Sequence, residues 1–372
     1  MMRYFYWANS TNTPILKERF KPLTGIRAIA AIMVFLYHNR KYWRNNLPEW
    51  VMQELNEFHV GVTLFFVLSG FLLAYTYQDQ PLFSKKDYAK YLLTRVFRIF
   101  PVYWIILSVS YIDIGFPSLD KIVFNYSLLK GFSDVYNLDA LPQSWTLTVE
   151  LCFYILAPFI YFQTNKSIAK TLLWLTTLAL IFTGIGYAWR YLNGNPYRWF
   201  YDWKFILNGT FFGRFAEFYI GVLLATFLKK QLDANELKPT KHLTGISLIL
   251  IFSLIAGIGF FQQNIYDQGT EHLPGLFIRN LLLPVAISIF LYGLITERSF
   301  LSRVLSTKFF ILLGNASYIF YLVHIGYVNR KMIGVHLFPD RNFLLLWIVS
   351  IIAYLCIEKP VYEYARGLIK KL

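Results

Sequence analysis

Charged residues are scarce in this sequence of 372 residues. Asp, Glu, Lys and Arg make up 15% of the chain, whereas soluble domains average about 25%. Apolar residues make up 56%, and they fall into blocks of about 20 residues, the length of helix that crosses a bilayer. This pattern excludes an ordinary soluble domain and predicts an all-α polytopic membrane protein.

Cysteine is nearly absent as well. The only two cysteines, Cys152 and Cys356, fall in separate apolar segments, so we expect small buried side chains instead of a disulfide framework or a cysteine metal site. The spacing patterns of zinc, nucleotide-phosphate and dinucleotide sites are missing too. We therefore predict no bound metal and no tightly bound cofactor.

A cleavable signal peptide is also missing from the sequence. Residues 1–22 are polar and aromatic, contain Pro14 and have no short apolar core before a cleavage site. We expect the first span to act as an uncleaved signal. The formal net charge is +15, but the basic residues lie between the apolar blocks, as membrane topology arranges them. Binding to nucleic acid is therefore not expected.

The apolar blocks predict a bundle of about ten transmembrane helices with mostly short connections. The long connection 114–145 contains an amphipathic run near Lys121–Lys130 that is typical of a membrane-surface helix. We divide the chain into an N-terminal segment (1–22), one membrane domain (23–365) and a short basic tail (366–372). The expected helix ranges are 23–41, 58–77, 96–113, 146–164, 168–190, 205–228, 243–262, 276–296, 309–329 and 341–361.

The distribution of Lys and Arg predicts the side of the membrane on which each loop lies. With the N-terminus inside, the inner segments contain 22 of these residues and the outer loops contain 11. Because cytoplasmic loops are enriched in Lys and Arg, both termini are predicted to be cytoplasmic. Arg27 then lies near the inner end of the first helix, and His38 lies toward the outer leaflet.

The first span carries two ionisable residues, Arg27 and His38, eleven positions apart in apolar sequence. Eleven residues make about three helical turns, so both side chains lie on one face, about 16 Å apart along the axis. A charged side chain in a spanning helix costs about 2.5–3.5 kcal/mol and usually faces the bundle interior with a function. The alternative is that Arg27 extends to the interface and His38 caps the outer end. The shared face favours a functional pair.

Small residues mark the second span. Gly61, Ser69 and Gly70 would let a neighbouring helix or a thin ligand approach the backbone closely. For Gly61 we prefer helix packing. For Ser69 and Gly70, helix packing and ligand binding are equally compatible with the sequence.

Arg95 and Arg98 follow on the predicted cytoplasmic side, at positions i and i+3 of one helix face. Paired guanidinium groups bind phosphate through two hydrogen bonds each. They also anchor helices to anionic lipid headgroups. The helix position alone leaves both interpretations open.

Glu150 is a carboxylate in the apolar fourth span, and no residue near it in sequence neutralises it. We expect it to pair across helices with Arg27, His38 or another cation. A carboxylate beside an imidazole raises the basicity of the ring, as a general base requires. The alternative is a buried ion pair that fixes helix packing, and we prefer the functional role.

Two further polar positions have a mainly structural interpretation. Arg214 and Glu217 lie at i and i+3 in the sixth span, where we expect them to neutralise each other. His324 lies in the ninth span, and a lone histidine there is more often an interhelical hydrogen-bond partner than a catalyst.

Taken in order, these segments resemble the acyltransferase 3 family of integral membrane acyltransferases over about residues 20–365. Each motif alone is weak, but seven in order at plausible spacing are specific. The hydrolase-like domains of some relatives have no counterpart in this sequence. The motifs are Arg-x10-His at Arg27 and His38, Phe-Phe-x-x-Ser-Gly-Phe at Phe65–Phe71, Arg-x-x-Arg at Arg95 and Arg98, Trp-(Ser/Thr)-Leu-x-x-Glu at Trp145–Glu150, Arg-x-x-(Glu/Asp)-Phe at Arg214–Phe218, Tyr-Leu-x-His at Tyr321–His324 and Glu-Lys-Pro at Glu358–Pro360.

The resemblance implies transfer of an acyl group, commonly acetyl, from cytoplasmic acyl-CoA to a hydroxyl of a cell-surface or lipid-linked carbohydrate. It also implies a bacterial inner membrane. Under this interpretation His38 is the general base, Glu150 orients its imidazole, and Arg27 holds the donor or the oxyanion. The residues expected to bind substrate or acyl-CoA are Arg95, Arg98, Ser69, Gly70, Trp145 and His324.

A transporter or flippase is the alternative class. It would use Arg27, His38 and Glu150 to relay protons or substrate without chemistry. Many transporters have internal repeats and broken helices in both halves, and this sequence has no such symmetry. The sequence specifies neither the acceptor, nor the acyl length, nor the oligomeric state.

Overall fold

The computed structural model describes residues 18–372 except 81, 83, 195, 265–266, 327–328 and 330–338. Most of the predicted N-terminal segment therefore lies outside the described residues. Apart from one isolated bridge between Ser133 and Trp199, regular structure in the described ranges is helical. The α-helices are α1 (Lys21–Asn39), α2 (Glu49–Tyr77, with a 3-10 turn inside), α3 (Lys85–Ile114), α4 (Leu119–Tyr126), α5 (Trp145–Lys166), α6 (Ile168–Asn193), α7 (Trp203–Gly209), α8 (Phe211–Asp233), α9 (Leu243–Gly259), α10 (Leu273–Thr296, with a π turn inside), α11 (Phe300–Leu305), α12 (Lys308–Val323), α13 (Pro339–Ala353) and α14 (Lys359–Lys371).

Seven helical segments of the described chain are long and apolar enough to cross a membrane: α2, α3, α5, α6, α7 with α8, α10, and α13 with α14. Helices α9 and α12 are apolar but shorter, and Arg27 and His38 lower the mean hydropathy of α1. Each of the ten predicted segments falls on one of these helices. The prediction of an all-α, multi-pass membrane protein is confirmed, whereas the number of spans and the cytoplasmic termini stay predictions.

The predicted third helix, 96–113, is wrong at its N-terminal end. Helix α3 begins at Lys85, where the Ser84 hydroxyl accepts a hydrogen bond from the Asp87 N–H at 3.0 Å. Ser84 is thus an N-cap. The prediction began where continuous apolar sequence begins, whereas the first turns of α3 are amphipathic. Those extra turns form part of the wall of the cavity described below.

The predicted tenth helix, 341–361, ends too early. A π turn at Tyr354–Glu358 joins α13 to α14, which continues to Lys371. Pro360 lies just after this π turn. Proline has no N–H to donate within the continuous helix, and it lies where the helical hydrogen-bond pattern is already interrupted. Residues 366–371 of the predicted basic tail are therefore helical.

The connection between α3 and α5 is anchored by a buried lysine. Lys130 is fully buried, and its ammonium group donates hydrogen bonds to the carbonyl oxygens of Asp139 and Leu141. Burial lowers the pKa of Lys130 to about 7. The amphipathic run expected near Lys121–Lys130 is helical over α4, but its last residue faces the protein interior instead of a membrane surface.

Helix α1 lies between α2 and α12 and contacts both. A Cβ atom on Gly314 would lie 1.9 Å from the carbonyl oxygen of Thr24, and one on Gly61 would lie 2.6 Å from that of Ala30. Glycine at these positions lets both neighbouring helices approach the α1 backbone. The packing role predicted for Gly61 is confirmed.

Helices α2 and α8 pack through a reciprocal pair of glycines. A Cβ on Gly70 would lie 2.1 Å from the carbonyl oxygen of Phe218, and one on Gly221 would lie 2.1 Å from that of Val67. The rings of Phe66 and Phe218 stack beside this contact, with centroids 4.5 Å apart. Of the two interpretations left open for Gly70, the structure supports helix packing.

Gly70→Ala should destabilise the protein because the new methyl group overlaps the Phe218 carbonyl and forces α2 and α8 apart. Overpacking of this kind typically costs about 1–3 kcal/mol, and we expect a lower thermal unfolding midpoint in detergent. Gly245→Ala on α9 is the matched control, since its Cβ would meet nothing within 4 Å. Equal midpoints for the two variants would contradict the close contact.

Candidate active site

A cavity of about 520 Å³ lies between α1, α2, α3, α5, α12 and α14. Five of the residues predicted to form the site line it: Arg27, Ser69, Arg95, Arg98 and Glu150. They come from four helices that are distant in sequence. The structure therefore brings together the greater part of the predicted polar set.

The charge of the cavity wall is strongly positive. Six basic side chains contribute to the lining, but only two acidic ones, Asp87 and Glu150. A cavity with this excess of cations attracts an anionic ligand. The basic residues are Arg27, Lys90, Arg95, Arg98, Arg366 and Lys370.

The cavity arginines of α1 and α3 differ in their hydrogen bonds. The Arg95 Nη2 donates a hydrogen bond of 2.8 Å to the Tyr77 hydroxyl, and its guanidinium lies 5.3 Å from the centre of that ring. Arg27 and Arg98 are half-buried and form no hydrogen bond with any residue that the structure describes. Their guanidinium groups therefore keep their donors for a ligand in the cavity.

Glu150 is bound by hydroxyl groups instead of by a histidine. Its Oε1 accepts hydrogen bonds from Ser69 Oγ at 3.0 Å and from the Tyr154 hydroxyl. Of the partners expected for Glu150, His38 does not line the cavity, and no hydrogen bond joins it to Glu150 within the described chain. The nearest match to the expected cation is Arg27, which Glu150 attracts electrostatically without a hydrogen bond.

His38 and His324 form a pair outside the cavity lining, with ring centroids 5.1 Å apart. His324 is fully buried, and its Nδ1 lies 2.7 Å from the Tyr321 carbonyl oxygen. Because a carbonyl only accepts hydrogen bonds, Nδ1 carries the proton and Nε2 presents a lone pair. No described residue donates a hydrogen bond to that Nε2. Among the described residues, the His324 side chain therefore makes no hydrogen bond to another helix, the role that the sequence favoured.

Tyr321 connects the cavity to the histidine pair. Its side chain lines the cavity, and its ring centroid lies 5.5 Å from that of His324. Its hydroxyl lies 3.1 Å from Thr146 Oγ1 and donates to the Gln143 carbonyl oxygen at 3.3 Å. Helix α1 joins the same two regions, because it carries Arg27 in the cavity and His38 in the pair.

Trp145, another predicted binding residue, packs on a buried ion pair instead of lining the cavity. The Arg214 guanidinium lies 5.6 Å from the Trp145 ring centre and hydrogen bonds to both carboxylate oxygens of Glu217, at 2.8 and 2.9 Å. A further bond of 3.1 Å reaches Thr63. The predicted neutralisation of Arg214 by Glu217 is confirmed.

Several lining residues were missed from the sequence. Tyr154 lies one helical turn after Glu150, at i+4, and this spacing was a readable signal. Arg366 and Lys370 lie at i+4 and i+8 from Tyr362, all on the cavity face of α14. They were missed because the last predicted helix stopped before them.

These features define a class: a multi-pass helical membrane protein with a cationic internal cavity beside a histidine pair. A family comparison makes the assignment specific. The Acyltransferase domain family (Acyl_transf_3) has a model that matches residues 21–358, so the chain belongs to this family of acyltransferases.

Individual relatives agree with the family. The O-acetyltransferase OatA of Staphylococcus aureus (strain NCTC 8325 / PS 47) is 24% identical over 374 residues, which cover 92% of this chain and 57% of the relative. The protein named "Putative peptidoglycan O-acetyltransferase YrhL" of Bacillus subtilis is 24% identical over 380 residues, which cover 92% of this chain and 55% of the relative. The chain thus spans about half the length of these relatives. No solved structure matches it.

Glu217→Gln should destabilise the protein strongly, because it leaves the buried Arg214 without its counter-charge. Breaking one side of a buried ion pair costs about 3–5 kcal/mol, which thermal unfolding in detergent would register as a large loss of stability. Glu236→Gln is the control, since Glu236 is exposed after α8. Unchanged stability of Glu217→Gln would show that Arg214 does not depend on this carboxylate.

Proposed function

We propose that this protein is a membrane O-acetyltransferase that moves an acetyl group from cytoplasmic acetyl-CoA to a hydroxyl of a cell-surface carbohydrate of the peptidoglycan type. The observation that carries the proposal is the cationic cavity, whose six basic side chains suit the phosphates of CoA. The family and the names of the relatives supply the transferred group and the acceptor class. The site of action would be a bacterial cytoplasmic membrane.

Two of the basic lining residues support a cytoplasmic donor. Lys90 and the exposed Lys370 line the cavity, and both belong to segments that the distribution of Lys and Arg assigns to the inner side. A CoA molecule would enter there with its phosphates among the basic side chains. Its thioester would extend past Arg27 toward Tyr321 and the histidine pair.

The proposed chemistry is direct transfer assisted by a general base. His38 removes the proton from the acceptor hydroxyl, the oxygen attacks the thioester carbonyl, and the C–S bond breaks. The CoA thiolate then leaves and takes up the proton from the imidazolium. Arg27 stabilises the negative charge that develops on the carbonyl oxygen or holds the donor in place.

His324 is better placed than Glu150 to orient His38. Its Nε2 lone pair has no donor among the described residues, and its ring lies 5.1 Å from that of His38. A hydrogen bond from one His38 nitrogen to this lone pair would leave the other nitrogen as the base. Glu150, held by Ser69 and Tyr154, would instead balance the charge of Arg27 in the cavity.

His38→Asn should lower the transfer rate by about 10²–10⁴-fold, the usual contribution of a general base. The assay uses purified protein in proteoliposomes, acetyl-labelled acetyl-CoA and peptidoglycan fragments, and it measures released CoA and labelled acceptor. His242→Asn, at an exposed loop position, is the matched control. Activity of His38→Asn within tenfold of wild type would refute the role as base. Movement of labelled donor across the membrane without CoA release would favour a transporter.

Arg95→Ala should weaken CoA binding more than it lowers the turnover of bound donor. The substitution removes a phosphate-binding guanidinium that the Tyr77 hydroxyl holds in position. CoA titration in detergent gives Kd, and the transfer assay at saturating donor gives kcat. Arg303→Ala, at an exposed position on α11, is the control. A large loss of kcat with unchanged Kd would place Arg95 outside the donor site.

A further inference from the structure

One wall of the cavity comes from residues that follow the match to the family. The match ends at residue 358, whereas α14 begins at Lys359 and contributes four lining residues. Two of these four are basic. The lining residues of α14 are Tyr362, Arg366, Ile369 and Lys370.

The packing of α14 explains why these side chains face the cavity. Their spacing of three or four residues places them on one face of the helix. Tyr362, Ala365 and Ile369 are buried, and α14 contacts α3 across the cavity wall. The other face, with Tyr364 and Leu368, is exposed. The helix is thus held in one rotation, and Arg366 and Lys370 turn toward the cavity.

Helix α14 runs antiparallel to the first turns of α3. Arg98 interacts electrostatically with Glu358 and Tyr362, and Arg95 interacts with Tyr362. Residues further along α14 therefore lie beside residues earlier in α3. At a rise of 1.5 Å per residue, position 370 lies about 12 Å beyond position 362, toward the exposed end of α14.

The basic residues consequently follow one another along α3 and α14. Arg98 lies beside Glu358 and Tyr362, whereas Lys90 is about two turns earlier in α3, and Arg366 and Lys370 are about two and three turns after Glu358 in α14. CoA carries phosphate at two places, a pyrophosphate next to the pantetheine arm and a separate phosphate on the 3′ position of the ribose. With the thioester beside Arg27, the 3′-phosphate would lie farther along the cavity wall than the pyrophosphate, toward Arg366 and Lys370.

We propose that Arg366 and Lys370 form a phosphate subsite for the 3′-phosphate of the donor, while the arginines of α3 bind the pyrophosphate. This assignment rests on the proposed function, because it takes CoA as the donor. A basic amphipathic helix at a membrane surface also binds phosphate of anionic lipid headgroups. The position of both side chains in the cavity lining favours the soluble donor, and the test separates the two sources.

The test measures binding of CoA and of 3′-dephospho-CoA to the full chain in nanodiscs of neutral phosphatidylcholine. For the double variant Arg366→Gln/Lys370→Gln we expect a Kd for CoA about tenfold or more above wild type, as charge-assisted hydrogen bonds are lost. The Kd for 3′-dephospho-CoA should change far less. Lys371→Gln, an exposed position outside the lining, is the matched control and should bind like wild type.

Three other outcomes would show which of the claims is wrong. Wild type that binds no CoA would overturn the proposed function itself. If wild type binds CoA, but no more tightly than the double variant does, only the proposed subsite is overturned. If the double variant instead loses thermal stabilisation by phosphatidylglycerol and keeps its Kd for CoA, the residues bind lipid headgroups.

A variant that exchanges the two basic side chains and keeps both charges tests whether lost affinity comes from lost charge or from misfolding. Arg366→Lys/Lys370→Arg should retain most of the affinity for CoA, because both positive charges remain in the subsite. Each single Gln variant should also lose part of the affinity for CoA. The proposal can therefore still be tested if the double variant fails to fold. Loss of affinity in the exchanged variant equal to that of the Gln double variant would overturn the electrostatic role.

Discussion

This structure depends on how it offsets the unfavourable free energy of placing cations inside an apolar helical bundle. For Arg214, that free energy is offset by hydrogen bonds to a carboxylate on its own helix and to a hydroxyl across the interface. Arg27 and Arg98 have no such bonds in the described chain and face a cavity with few acidic groups. Glu150 and Glu358 attract Arg27, and Glu358 attracts Arg98, without a hydrogen bond, so the guanidinium donors of both stay unused within the described chain. This contrast with Arg214 is the observation from which we propose an anionic donor.

The cavity and the histidine pair divide the proposed reaction between two regions. Phosphate recognition needs several cations and access from the water phase, whereas proton removal by His38 needs a neutral imidazole in a dry environment. The separation of the six basic side chains of the cavity from the histidine pair satisfies both needs. Tyr321 lies between the two regions, and α1 fixes their separation, because Arg27 and His38 belong to the same rigid helix.

Much of this arrangement was readable from the sequence, since long apolar runs locate helices and isolated charges within them mark inward-facing positions. The inward position of Arg27 and Glu150 followed from that reasoning, whereas a shared site with Arg95 and Arg98 was expected only from the family resemblance. The hydrogen bond from Ser69 to Glu150 could not be predicted, because helix spacing gives the face on which a side chain lies but not its neighbour on another helix. The amphipathic ends of α3 and α14 were missed because they lack continuous apolar sequence, although the Ser84 cap was a usable signal.

The helices around the cavity differ in what lies behind them. The α2–α8 pair is locked by glycine contacts, whereas only 28% of the apolar window of α3, and the same share for α13 with α14, is buried in the protein. One wall of the cavity is therefore backed by protein, and the other turns outward a face that the described chain leaves largely uncovered. In a bilayer, acyl chains would cover that face, so the lipid would complete the outer side of this wall.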